Sequence, residues 1–301
     1  MAKIIRKRRY VSDATSQELR DIIRGTSGGF LFGIPLLYTM EVWWIGSQIS
    51  PPVMLIILAV TFVVVFMLNS TEGFRQNKRV TFLDTVIDSV EALAIGIVSA
   101  TMILILIREI DLSTPLYETL GKSVLESVPF SLGAALARAS LSGDRWTNSD
   151  GKSPEKQQPI TRKTTHKSHI QATLSDIGAT LIGALIVGFN IAPTDEVSML
   201  DAAVSPPWLL AFIAASLLIS YCIVFEAGFT SEKKRRKQSG LFQRPVSETV
   251  ISYLMSLIAA VSMLFFFQKL NFSDPWTMWL SSTIILGLPA TIGGAAGRLA
   301  I

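Results

Sequence analysis

Gly33 to Pro52 reads GIPLLYTMEVWWIGSQISPP, and Gly188 to Pro207, 155 residues later, reads GFNIAPTDEVSMLDAAVSPP. Each stretch leaves an apolar segment through a Thr and an acidic residue, then opens a second apolar segment with Ser-Pro-Pro. At the same offset Gly28, Leu55, Ala59, Gly73 and Phe74 meet Gly183, Leu210, Ala214, Gly228 and Phe229. Farther on the offset becomes 160, and Pro115, Pro129, Gly133, Ala135 and Arg138 meet Pro275, Pro289, Gly293, Ala295 and Arg298. The second half of the chain therefore repeats the first.

Both halves consist of apolar runs of membrane length. The chain has 301 residues, and 50% are hydrophobic. Runs of about 20 apolar residues read as transmembrane helices. Helices and closed barrels alone satisfy every backbone group in lipid, and the short alternating segments of a barrel are missing from this sequence. The expected fold class is all-α, a polytopic membrane helix bundle. Eight spans are predicted, at 28–48, 52–70, 85–107, 118–138, 173–193, 207–228, 249–268 and 276–297. Four spans per half is an even number, so both halves enter the membrane in the same direction, as two parallel four-helix repeats. The domain reading is 1–138 for the N-terminal segment and first repeat, 139–172 for a hydrophilic linker, and 173–301 for the second repeat.

Charge sets the orientation. With eight spans, 24 of the 27 Lys and Arg fall on one side, leaving Arg108, Lys122 and Lys269 on the other. The positive-inside rule makes the basic side cytoplasmic, with both termini. Trp43, Trp44, Tyr117, Trp208, Trp276 and Trp279 fall near outer span ends, as an interfacial aromatic belt does. No cleavable signal peptide is recognised, and the expected location is a bacterial inner membrane. Residues 15–26 open with Thr15-x-x-Glu18, a capping-box pattern, and suggest a short interfacial helix.

The repeated acidic motif is the leading candidate site. Glu41 and Glu196, with Thr39, Thr194 and Asp195, follow the helix breakers Gly33 and Pro35 or Gly188 and Pro193. Each Thr suits a helix N-cap, and each carboxylate then lies near a positive dipole end. Interrupted spans at matching places in two halves point to a transport site for a small cation or a proton. The bland alternative leaves both acids facing water at the outer interface. Asp88 and Glu91, three residues apart, and Glu126 are secondary candidates, because charge within a span costs at least about 2.5 kcal/mol. Lys122 or Arg138 could pair with these acids. Arg138 and Arg298 read either as snorkelling to headgroups or as partners of Glu72 and Glu226. The run Lys233-Lys234-Arg235-Arg236-Lys237 suits anionic lipid, with no folded motif for nucleic acid.

Enzyme chemistry finds little footing. Phosphate-binding glycine loops, HExxH and nucleophile elbows are missing from the sequence. His166 and His169 both lie in the linker, and Cys222 is the single cysteine. No cofactor is implied, and the expected partners are membrane lipids.

Several stretches carry a family resemblance. Leu31–Trp44, Glu72–Arg75, Val128–Arg138 and Asn190–Glu196 resemble a bacterial family of integral membrane proteins, domain-of-unknown-function family 2391. The resemblance covers nearly the whole chain apart from the N-terminus and linker. It implies membrane integration and brings no activity, substrate or functional residue with it. The reading is a transporter or channel for a small solute, with a non-transporting scaffold or assembly factor as the alternative.

Overall fold

The computed structural model describes residues 2–73, 81–139, 165–227, 229 and 245–300, with side chains from Glu18 in the first helix and Thr173 in the sixth. The linker's residues 140–164, the Lys233–Lys237 run and the side chains of Glu72 and Arg138 lie outside the described residues. Among the described residues all regular structure is helical.

The helices are α1 (Ala2–Leu37), α2 (Met40–Gln48), α3 (Pro51–Gly73), α4 (Phe82–Leu106) and α5 (Leu116–Ala139). The second half holds α6 (Thr165–Ile191), α7 (Glu196–Ala203), α8 (Leu209–Tyr221), α9 (Pro245–Phe266) and α10 (Trp276–Leu299). A 3-10 turn at Pro206–Trp208 leads into α8 and a π-turn at Cys222–Glu226 ends it. Each short helix, α2 or α7, is thus followed by prolines at the first positions of the next, where no amide is needed.

By length and composition six helices can cross a membrane, seven if the bent pair Glu18–Leu37 and Met40–Gln48 counts as one. α5 is long enough but carries Glu118, Lys122 and Glu126, and it is not among them. Two predicted features change. The first predicted span, 28–48, is not one straight helix, because the chain turns by 94° between Glu18–Leu37 and Met40–Gln48. Residues 15–26 are not a separate interfacial helix but part of continuous α1.

Loops and packing recur between the halves. Arg108 and Gln268, 160 residues apart, both have positive φ, 67° and 59°. Each ends its helix with matching bonds, Glu109 N–H to the Leu104 carbonyl and Lys269 N–H to the Leu264 carbonyl, as in a Schellman cap. At the α1–α5 crossing, a Cβ on Gly28 would collide with Ala137 and the Gly133 carbonyl. At the α6–α10 crossing, a Cβ on Gly183 would collide with the Gly293 carbonyl. Small residues allow this backbone approach, which in lipid supplies the packing that water does not drive.

Centre and periphery are set by burial. The apolar window of α10 is 72% buried, against 17% for that of α3. α3 exposes Leu55, Ile56, Val60, Val63 and Met67, a surface suited to acyl chains. The main core runs across both halves, from Phe30, Ile34, Trp43 and Phe130 to Phe212, Phe225, Ile285 and Leu286.

Candidate functional site

The repeated motif sits where α1 breaks. Pro35 lies in the last turn of α1, and Thr39 has the extended backbone of an N-cap (φ −141°, ψ 98°). Its hydroxyl does not cap α2. It donates backward to the Leu36 carbonyl at 2.9 Å, and Thr194 likewise donates to the Ile191 carbonyl at 2.6 Å. Both hydroxyls serve carbonyls in the last turns of α1 and α6 instead of amides at the starts of α2 and α7. The N-cap of α7 is Asp195, with no side-chain capping bond. The Trp43 indole closes the break further, donating to the Leu37 carbonyl at 2.9 Å.

The two glutamates are disposed differently. Glu41 is exposed. Glu196 is 6% exposed, and its Oε1 accepts from the Met40 amide at 3.4 Å. A carboxylate from the second half therefore sits at the N-terminus of a first-half helix, where the dipole favours negative charge. Its Oε2 is buried with no hydrogen-bond partner. Asp195 is exposed and pairs with Lys269 at 2.8 Å, which holds its carboxyl below the usual range.

Glu126 reaches the same short helix from the other side. It is 1% exposed, with Oε1 unpartnered, and the Trp43 side chain of α2 lies beside it. α2 is thus flanked by the only two glutamates buried below a tenth exposure among the described residues, Glu126 and Glu196. The close seat of α2 on α5 needs Gly46 and Gly121, since a Cβ on Gly121 would collide with the Gly46 carbonyl. Lys122 does not pair with Glu126. It binds Glu118 at 2.8 Å and Glu109 at 3.1 Å. The i,i+4 spacing to Glu118 was visible in the sequence, whereas Glu109 arrives through the loop before α5.

Two residues outside the motif join the halves near this break. Tyr38 is buried and its hydroxyl donates to the Ile285 carbonyl at 3.0 Å. Pro289 explains the acceptor: it has no N–H, so the Ile285 carbonyl has no helical partner. Trp208 donates from its indole to the Leu106 carbonyl at 2.6 Å, and the Arg108 guanidinium lies 5.3 Å from its ring centre.

Asp88 and Glu91 lie away from α2. With Glu18, Asp21, Ile22 and Arg24 they line a cavity of about 460 Å³ between α1 and α4, and both acids engage partners. Arg24 also donates to the Ala227 carbonyl at 2.9 Å. Arg298 does not snorkel. It is fully buried, ion-paired with Glu248 rather than Glu226, and 5.5 Å from the Phe225 ring centre. Glu226 instead accepts from the Tyr221 hydroxyl. Among the described residues no cluster of His, Cys, Asp and Glu has the arrangement of a metal site.

No curated protein and no solved structure matches the chain. The family model described as "Putative integral membrane protein (DUF2391)" matches residues 21–301. With nearly its whole length matched and its helices fit to cross a bilayer, the chain belongs to this family of integral membrane proteins.

Proposed function

We propose that the chain is a transporter or channel for a small cation or proton in a bacterial inner membrane, with Glu196 as its principal ionisable group. The observation that carries this reading is the Glu196 carboxylate, buried at a helix break between the halves, one oxygen on the Met40 amide and the other unpartnered. Ionisable groups at interrupted helices are the pattern of secondary transporters. Glu41, Thr39, Thr194 and Asp195 surround that break at the water-facing end and form its entrance.

The architecture behind this reading is two parallel four-helix repeats, 1–138 and 173–301, joined by a cytoplasmic linker at 139–172. The eight crossings are Glu18–Leu37, α3, α4, α5, α6, α8, α9 and α10. Counting α5 is supported by its setting: Lys122, Ser123, Glu126, Ser127 and Ser131 are all buried in protein, so its polar face does not meet lipid. The recurring loop and glycine contacts support the repeat, and the lopsided Lys and Arg support cytoplasmic termini.

The test is flux in proteoliposomes loaded with pH-sensitive or cation-sensitive dyes. Glu196→Gln abolishes flux, and Glu41→Gln reduces it less because that side chain is exposed. Unchanged flux in the doubly substituted protein would remove both from the mechanism. A folded wild type that passes no small cation leaves the scaffold reading. Reporter fusions at residues 150 and 240 are expected on the same, cytoplasmic face.

A further inference from the structure

One face of α5 is polar and buried along three turns. Lys122, Ser123, Glu126, Ser127 and Ser131 are each less than a tenth exposed. Ser127 is satisfied, donating to the Val124 carbonyl at 2.7 Å. Ser123 Oγ, Glu126 Oε1 and Ser131 Oγ are not. Pro129 withholds a further amide, so the Leu125 carbonyl has no helical donor. Buried polar atoms are almost always hydrogen-bonded, and ordered water serves them when protein does not. Polar groups at positions 123, 126, 127 and 131 share one helix face, a spacing that suits a line of bridging waters.

Both ends of this line lead to polar surroundings. Toward the α4–α5 loop stand Lys122, Glu109 and Glu118, whose carboxylate side chains are 18% and 31% exposed. Away from it, Ser131 faces α4 at Gly96, where a Cβ would collide with the Ser131 hydroxyl. About two turns farther along α4, Ser89 accepts from Asn69 Nδ2 at 3.0 Å, beside the cavity that Asp88 and Glu91 line. Glu126 sits about 15 Å from the start of α5, near the middle of that helix. The other half keeps one unpartnered hydroxyl, Thr283 in the place of Ser123, but not the acid or the rest of the line. Leu286 stands where Glu126 does and is fully buried, and Thr291, in the place of Ser131, is satisfied by the Gly287 carbonyl.

We infer that Glu126 is a proton-exchange site reached by ordered water along α5, and that the cation this protein handles is the proton. This rests on the transporter-or-channel reading above, narrows its cation to the proton and adds Glu126 to Glu196 as an ionisable group. The side chain gains and loses its proton to the water line, with no other bond made or broken. Charge at this depth is then compensated by a mobile proton rather than by a fixed cation.

Infrared difference spectroscopy of the reconstituted protein, titrated through neutral pH, tests the site directly. The expected result is a carboxylic C=O band that titrates, shifts in D2O, disappears in Glu126→Gln and persists in Glu196→Gln. Glu126→Asp keeps a titrating band, which separates loss of the acid from loss of the fold. Ser123→Ala and Ser131→Ala keep the band and slow proton flux by about tenfold, the loss of roughly one hydrogen-bonded link. A spectrum identical in wild type and Glu126→Gln, or a band that ignores D2O, overturns the inference. So does undiminished proton flux in Glu126→Gln. A wild type without proton flux whose Glu126 band still titrates overturns the transport reading and the proton as its cation, and leaves the exchange site standing.

Discussion

Replacing Tyr38 with Phe removes one hydroxyl and keeps the ring in its pocket. The hydroxyl donates to the Ile285 carbonyl at 3.0 Å, and Pro289 cannot supply that carbonyl with an amide. Tyr38→Phe therefore strands a buried acceptor. Stranding costs about 1–3 kcal/mol in water-soluble proteins. Interhelical bonds within membranes average about 0.6 kcal/mol and reach about 1.7, because the unfolded chain also finds partners. The expected loss is about 1 kcal/mol, toward the upper part of the membrane range, since the acceptor is fully enclosed. Pro289→Ala restores an N–H one turn along, and in that background Tyr38→Phe is expected to cost almost nothing. The assay is a double-mutant cycle from unfolding in mixed detergent micelles, followed by fluorescence of the six tryptophans. Equal losses in both backgrounds would refute the link between the proline and the tyrosine.

Two further outcomes follow from the α4–α5 loop. Lys122→Met leaves Glu118 and Glu109 without their shared cation, and breaking a buried pair costs about 3–5 kcal/mol. Both acids keep some water contact, so the lower end is expected, read as a fall in melting temperature that Glu109→Gln partly reverses in the double variant. Asp111 accepts from the Ser113 and Thr114 hydroxyls and amides, and these bonds lower its carboxyl from the ordinary 3.8 to about 2. Its folded form is the more acidic, so its contribution is complete above pH 3.8 and fades as pH falls through about 2. The melting difference between wild type and Asp111→Asn is expected to persist at neutral pH and to vanish in that acidic window.

Much of this was legible in the residues. Long apolar runs gave the helical membrane class, and Gly-Pro-Thr-acid motifs marked the breaks. The bend inside the first predicted span escapes the sequence for a physical reason. Glu18, Arg20, Asp21 and Arg24 depress the hydropathy of the helix before the bend, while Val42, Trp43, Trp44 and Ile45 raise it in the short helix that turns away. Hydropathy measures affinity for an apolar phase and not direction. The threonines suit capping by sequence because a hydroxyl serves either end of a break, and geometry alone selects the carbonyls behind it. The burial of Glu196 beside an exposed Glu41 was hidden by their identical motifs, since the neighbours that cover one and not the other come from distant helices. Glu126 was visible as a charge within a span. Its unpartnered oxygen was not, because Lys122, four residues away, is claimed by two other acids.

The seam between the halves has a consequence for how each can diverge. Tyr38, Trp208 and Arg24 each donate across it to a main-chain carbonyl, and Glu196 accepts from a main-chain amide. Every residue type offers a carbonyl, and all but proline an amide. The receiving side of each contact can therefore drift in identity without losing the bond, and only the donor or acceptor side chain is held. A chimera joining halves from two family members should keep these four fastenings whenever those four side chains are kept.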